Sequence, residues 1–265
     1  MSREDRQTPE QRKLYGKSLR KLMPRSAHAR WSAGSNRADP IELLEEQNRD
    51  RLDWLIPVRR GRMSKSPFAF FRGSARIMAA DLANMPATGV DVQLCGDAHL
   101  GNFGLYASPE RQLVFDLNDF DETLRGPWEW DVKRLATSFV IAARHNGLKA
   151  SEAEKAVLRV VKHYRKSMAT FAEMRNTDIW YAMLDSEAFV STAVDAGRDS
   201  QARKIAKKAK TKDSLQALDK LAEVVDGNYR IKSEPPFLVP LRDLKKGKLK
   251  DGRDDLESLA YQQFE

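Results

Sequence analysis

A chain of 265 residues, 41% of them apolar, is long enough for one large domain or two closely packed lobes, and no apolar run approaches the length of a membrane span. Its one cysteine, Cys95, excludes a disulfide framework, and the start MSREDRQTPEQRK has no apolar core and excludes a signal peptide, so a soluble protein of the reducing cytoplasm is expected. The formal net charge of +8 permits an anionic partner such as a nucleotide or a phosphorylated substrate; the excess sits largely in two runs, Arg12 to Arg25 and Arg203 to Lys212, that read as solvated helix faces, and nucleic-acid binding is not expected.

Residues 1–7 read as frayed. Thr8-Pro9-Glu10 supplies a cap hydroxyl and a first-turn proline, so a helix is predicted to about Leu22, stopping at Pro24. Residues 26–38 read as loop. Asp39-Pro40 opens a second helix, Ile41 to about Leu52, with Ile41, Leu43 and Leu44 as a narrow apolar stripe. An extended piece, Trp54 to Pro57, and a basic segment, VRRGRM, complete an N-terminal helical extension over 1–62. In Ser66-Pro67-Phe68-Ala69-Phe70-Phe71-Arg72-Gly73 three aromatics precede an arginine and a glycine. The rings read as a core plug under a turn; Arg72 is either structural or aimed at an anion. A helix follows from Ser74 to Asn84, with Ile77, Met78 and Leu82 on one face, and Pro86 to Gly89 turns into an apolar strand, Val90 to Cys95.

That strand runs into a polar loop holding Asp97, His99 and Asn102. A turn at Ser108-Pro109-Glu110 brings the chain back as Leu113-Val114-Phe115, making one small hairpin. The second strand ends in four carboxylates within seven residues: Asp116, Asp119, Asp121 and Glu122. Like charges this dense repel unless a cation or hydrogen-bond donors sit among them. A solvated acidic turn is the alternative, and the second polar loop beside it favours a site. An aspartate that accepts a hydroxyl proton and an asparagine that holds Mg²⁺ need one compact loop, as Asp97 and Asn102 have. Side chains alternate along an extended strand, so Asp119 and Asp121 are expected on one face and Asp116 on the other, as a structural carboxylate or a backup ligand. Cys95, alone in an apolar strand, reads as inert packing.

Pro127 starts a long, largely buried helix with Asp131 in its first turn, ended by His145-Asn146-Gly147. Ser151 to Glu154 reads as a capping box opening a helix to about Arg175, and His163 within it as an ordinary helix residue. Residues 177–196 and Ser200 to Val225 read as helical. Asp226-Gly227-Asn228 is a break, Ile231 to Leu241 extended, 243–254 a charged loop and 254–265 the start of another helix. The fold class is α+β: mostly helices around one small β hairpin that carries the site.

CGDAHLGN resembles the H-x-D-x-x-x-x-N catalytic loop of the aminoglycoside-phosphotransferase and choline-kinase group of kinase-like enzymes, with Cys95 where that group usually has histidine. FDLNDFDE is similar to the metal-aspartate strand of the same group, and Asp131 falls twelve residues after Asp119, where the group's pattern places an aspartate opening a buried helix. RMSKSPFAFFRG, VQLCGDAHLGNFG, ERQLVFDLNDFDETLRGPWEWDVKRLA, KDSLQALDKL and PPFLVPL together resemble an uncharacterised bacterial family, the domain-of-unknown-function family numbered 2252, over nearly the whole chain. The resemblance implies a Mg-dependent phosphotransferase that passes a phosphoryl group from ATP to a hydroxyl on an unknown small-molecule or protein substrate. Asp97 would be the catalytic base. Asn102, Asp119 and Asp121, with Asp116 in reserve, would hold the metal, and Arg72 and His99 are the candidate cofactor-binding residues.

Kinases also carry a Gly-rich loop and a strand lysine, and no Gly-rich strand-turn-strand precedes Asp97. The resemblance implies longer family members with such a region further on. The expectation is therefore a single kinase-like domain over 1–265, shortened at its C-terminus, whose nucleotide-binding lobe is not evident and could come from a second chain. Two alternatives follow. One is a non-catalytic or incomplete kinase-like binding module. The other is a two-metal phosphoesterase, because GDAH imitates G-D-x-H with His99 as ligand; His28, His145 and His163 lie in no matching motif.

Overall fold

The computed structural model describes residues 8–195, 199–210, 214–234, 238 and 240. The chain divides into two compact units, Met1–Ala188 and Phe189–Glu265, and the first carries every candidate residue. The expectations for residues 1–7, 243–254 and 254–265 lie outside the described residues.

The first unit begins with short helices whose starts are written in Pro and a capping side chain. Helix α1, Pro9–Leu22, opens on a capping box: the Gln11 N–H donates to Thr8 Oγ1 at 3.2 Å and the Thr8 N–H to Gln11 Oε1 at 2.7 Å. In α2, Pro40–Asn48, the Asp39 carboxylate accepts from the N–H groups of Ile41 and Glu42 at 2.7 and 3.1 Å. The segment expected to be extended at Trp54 to Pro57 is instead a short turn, Asp53–Leu55, leading into α3, Ile56–Met63. Pro57 sits in that helix's first turn, where its missing N–H costs nothing. The aromatic segment is also helical: α4, Pro67–Arg72, starts where Ser66 Oγ accepts the Ala69 N–H at 3.0 Å, and only Phe71 of its rings is buried. Helix α5 is Ala75–Ala83.

Strands β1 (Asp91–Leu94), β2 (Phe103–Ala107), β3 (Leu113–Leu117) and β4 (Leu124–Pro127) make two antiparallel pairs rather than one hairpin. The Ser108-Pro109-Glu110 turn joins β2 to β3, with Phe103 opposite Leu117 and Ala107 opposite Leu113. The strand before the polar loop, β1, pairs not with β3 but with β4, Asp91 opposite Pro127 and Leu94 opposite Leu124. Two local features secure this pairing. Thr123 Oγ1 donates to the Leu94 carbonyl at 2.6 Å, and a Cβ at Gly126 would lie 2.9 Å from Leu94 Cδ1, so glycine there lets Leu94 keep its position. Leu94 is 1% exposed and Leu117 3%, which places the core between the strand pairs and the helices.

Helices α6 (Glu129–His145) and α7 (Ala150–Phe171) pack against each other. Gly147, at φ +70°, closes α6, and the Leu148 N–H reaches the Ala143 carbonyl at 2.9 Å. Helix α7 starts earlier than expected, because Glu152 rather than Glu154 closes its first turn on the Lys149 N–H at 2.9 Å. Helices α8 (Asn176–Trp180) and α9 (Ser186–Asp195) interrupt what reads as one helical stretch; Asp185 caps α9 through the N–H groups of Glu187 and Ala188.

In the second unit, α10 (Asp199–Lys210) and α11 (Ser214–Leu221) give way to β5 (Ala222–Val225) and β6 (Asn228–Ile231). The helix expected to reach Val225 stops at Leu221. Asp226 and Gly227, both at positive φ, form the two-residue turn of a β hairpin. The mixture of helices and small antiparallel sheets is an α+β fold. Among the described residues no helix is long and apolar enough to cross a membrane.

Candidate functional site

The loop after β1 is held by one face of α6. Asp131 accepts the N–H of Cys95 at 2.7 Å and of Gly96 at 3.1 Å. One turn on, Arg134 is 2% exposed and donates through Nε to Asp97 Oδ1 at 2.6 Å, with Nη2 of the same guanidinium 2.5 Å from that oxygen. Nη2 also donates to the Phe71 carbonyl at 2.7 Å, and the guanidinium carbon lies 4.3 Å from the centre of the Phe71 ring. One turn further, Ser138 Oγ, fully buried, accepts the Leu100 N–H at 2.9 Å and donates to the Leu135 carbonyl at 2.6 Å. Residues 131, 134 and 138 follow the i, i+3, i+7 spacing of one helix face.

The same loop is pressed against the turn after β3. Gly96 has φ +80°, and a Cβ there would overlap the Glu122 carbonyl, so only glycine permits the approach. Asn102 bridges the two loops: its buried amide donates to the Asp97 carbonyl at 3.2 Å and to the Asp119 carbonyl at 3.3 Å. Its backbone carbonyl accepts the Asn118 N–H at 2.9 Å. With both amide hydrogens directed at carbonyls, the side-chain oxygen is the atom of Asn102 left to meet a further group.

The carboxylates crowd each other. Glu122, half-buried, has its pKa raised above the ordinary carboxylate value, first by burial and then by the negative charges of Asp97, Asp119 and Asp121; Arg134 opposes them. Asp119 Oδ1 accepts the Asp121 N–H at 3.2 Å, so these two residues form a turn. Strand β3 ends at Leu117, so the strand alternation expected to set Asp119 and Asp121 on one face does not reach them. Asp116 stands exposed on β3 and accepts the Leu117 N–H at 2.8 Å; no hydrogen bond among the described residues joins it to the other carboxylates.

His99 is 4% exposed, with Nε2 3.5 Å from Asp97 Oδ2 and its ring edge-on to Phe68. Burial holds its pKa below the usual histidine value; Arg134 and Arg72 push the same way, against Asp97, so the ring is neutral at neutral pH. Its Nδ1 is buried without a hydrogen-bond partner. Arg72, at the end of α4, is exposed and makes no ion pair among the described residues, and its charge is felt at His99. The Cys95 thiol is pushed up to about 12 by burial and then by Asp131, which leaves it protonated and unreactive.

The structure thus brings Asp97, His99, Asn102, Asp119 and Asp121 to one place, sets Arg72 at its edge and leaves Asp116 to one side. Arg134 and Ser138 are the residues the sequence reading missed. The available signal was a polar stripe at helical spacing in WEWDVKRLATSFV. Among the described residues no three His, Cys, Asp or Glu side chains gather as a metal-binding group. The oxygen donors present still suit a hard cation of the kind that uses one or two carboxylates and completes its shell with phosphate and water.

A family described as "Uncharacterized protein conserved in bacteria (DUF2252)" matches residues 51–262. No curated protein and no solved structure matches the chain.

Proposed function

We propose that this chain, which belongs to the bacterial DUF2252 family, is a cytoplasmic phosphotransferase of kinase-like fold that moves a phosphoryl group from ATP, with magnesium, to a hydroxyl of a small-molecule or protein acceptor. The observation that carries this reading is the Asn102 amide, which ties the Asp97 loop to the Asp119 loop and so sets a base candidate beside a carboxylate turn. Arg134 occupies Asp97 Oδ1 through both of its contacts, so Oδ2 is the atom that would face an acceptor hydroxyl. In a loose transition state the base orients the hydroxyl and takes its proton late.

Asn102 Oδ1, Asp119 and Asp121 would hold magnesium, which supplies charge neutralisation at the phosphate oxygens. Arg72, exposed and with its charge felt at His99, would meet a phosphate group, and neutral His99 would pack against Asp97, its Nε2 lying 3.5 Å from Oδ2. The test is conversion of ATP to ADP with magnesium and a mixture of small hydroxyl acceptors. Asp97→Asn should lower turnover about 10²–10⁴-fold while ATP still binds; unchanged turnover rejects the role of Asp97.

A second reading is favoured by the same ion pair. If Arg134 holds Asp97 purely as a structural charge, the protein is a kinase-like module that binds a nucleotide without catalysis. It then predicts magnesium-dependent ATP binding with no turnover in either the wild type or Asp97→Asn.

A further inference from the structure

Helix α6 has a second functional-looking face. While Asp131, Arg134 and Ser138 hold the Asp97 loop, Lys133, Ala136, Thr137 and Ile141 line an open cavity of about 760 Å³ bounded also by α4, α5 and the segment around His28 and Trp31. That volume falls within the ~300–1,000 Å³ of small-molecule sites. The walls are mainly apolar and aromatic, with Trp31, Phe70, Phe71, Met78 and Ile141 among them. Trp31 is 50% exposed and Phe70 40%, so large rings stand at an open mouth.

Three ionisable side chains line this cavity, and two are accounted for. Asp81 is taken by Arg37 through two bonds, at 2.6 and 2.9 Å. His28 is held neutral, its pKa lowered by burial and then by the charge of Lys133. Lys133 is the third. Its Nζ makes no ion pair among the described residues, and its one hydrogen bond is to the Met85 sulfur at 3.7 Å, a weak acceptor. Burial lowers its pKa, and Glu129, one turn before it, partly offsets this. Glu129 itself receives the Thr88 N–H at 2.7 Å and lies beyond ion-pair distance of Lys133. A half-buried ammonium with only a thioether to bond is an unfilled electrostatic position facing apolar walls.

We propose that this cavity binds an amphipathic monoanion, an aliphatic carboxylate whose chain lies against Trp31, Phe70, Phe71, Met78 and Ile141 and whose head group pairs with Lys133 Nζ. The apolar walls supply affinity in proportion to the chain buried, and the ammonium supplies the preference for an anion over a neutral molecule of the same length. The proposal does not depend on the chemistry at Asp97.

The test is calorimetric titration of dodecanoate and of dodecanol, each below its self-association limit, into the full chain. One dodecanoate should bind, roughly ten- to a hundredfold tighter than dodecanol, the range of a charge-assisted bond. Lys133→Met leaves an unbranched side chain one atom shorter and removes an ill-solvated charge; it should bring dodecanoate down to the affinity of dodecanol and leave dodecanol binding unchanged. Equal binding of the two probes by the wild type overturns the proposal, as does no binding of either. Dodecanoate binding undiminished by Lys133→Met also overturns it, by placing the fatty acid elsewhere.

Discussion

At the scale of single residues, Arg134 governs Asp97. Its guanidinium is buried, bonded to Asp97 and to the Phe71 carbonyl, and stacked on the Phe71 ring. Removing it leaves a carboxylate buried without its counter-charge. Arg134→Met should therefore cost about 3–5 kcal/mol of stability, read from urea unfolding, and adding Asp97→Asn should recover much of the loss; a cost under about 1 kcal/mol would mean that Asp97 is solvated. Glu122 shows the opposite kind of strain. Its folded pKa is raised from the ordinary 4.5 by burial and by three neighbouring carboxylates, so the native state holds its proton more tightly than the unfolded chain. The stability this gives is complete below pH 4.5 and is lost as pH rises through the raised value. Glu122→Gln should accordingly raise Tm relative to the wild type at pH 7, with the gain fading to nothing at pH 4. A gain that does not change with pH would remove the electrostatic account.

At the scale of elements, the site is two loops squeezed together by a helix. Gly96 lies where the backbones meet. Gly96→Ala forces a side chain into a positive-φ position and against the Glu122 carbonyl, so it should cost more than about 1 kcal/mol and weaken any ligand that needs both loops. Unchanged stability would show that the loops separate freely. Much of this was legible in the chain. Thr8 and Asp39, each followed by proline, announce two helix starts; Ser66-Pro67 is a third start of the same kind, hidden because three aromatics in six residues look like a plug under a turn and not a helix. The two polar loops were legible because acidic and amide residues followed short apolar runs. The pairing of β1 was not. Its partner reads Leu124-Arg125-Gly126-Pro127, and glycine and proline argue against a strand; what makes it one is the space Leu94 needs and the bond from Thr123. Arg134 was hidden for a related reason: a cation inside a mostly apolar helix reads as solvated until a buried carboxylate is known to face it.

At the scale of the molecule, the net charge of +8 and the acidic turn point in opposite directions, and the contrast is informative. A basic protein that concentrates Asp97, Asp119, Asp121 and Glu122 beside Asn102 keeps a locally negative place on a positive body, and Arg72 lies at its edge. That combination suits a ligand carrying phosphates together with a divalent cation: the anion is drawn by the body and the metal by the turn. The Lys133 cavity is lined by other residues of α6 and by Phe71, whose carbonyl holds Arg134, so the helix that orders the site also bounds the second pocket.

The central claim is that the two loops bridged by Asn102 form one magnesium–nucleotide site. Calorimetric titration of ATP into the protein, with and without Mg²⁺ and repeated on Asp119→Ala, tests it most directly. The predicted result is saturable binding by the wild type that requires Mg²⁺ and is weakened at least about tenfold in the variant, since a charged metal contact is lost. Binding of equal strength with and without Mg²⁺, or unchanged by Asp119→Ala, would contradict it, as would no binding to the folded wild-type protein.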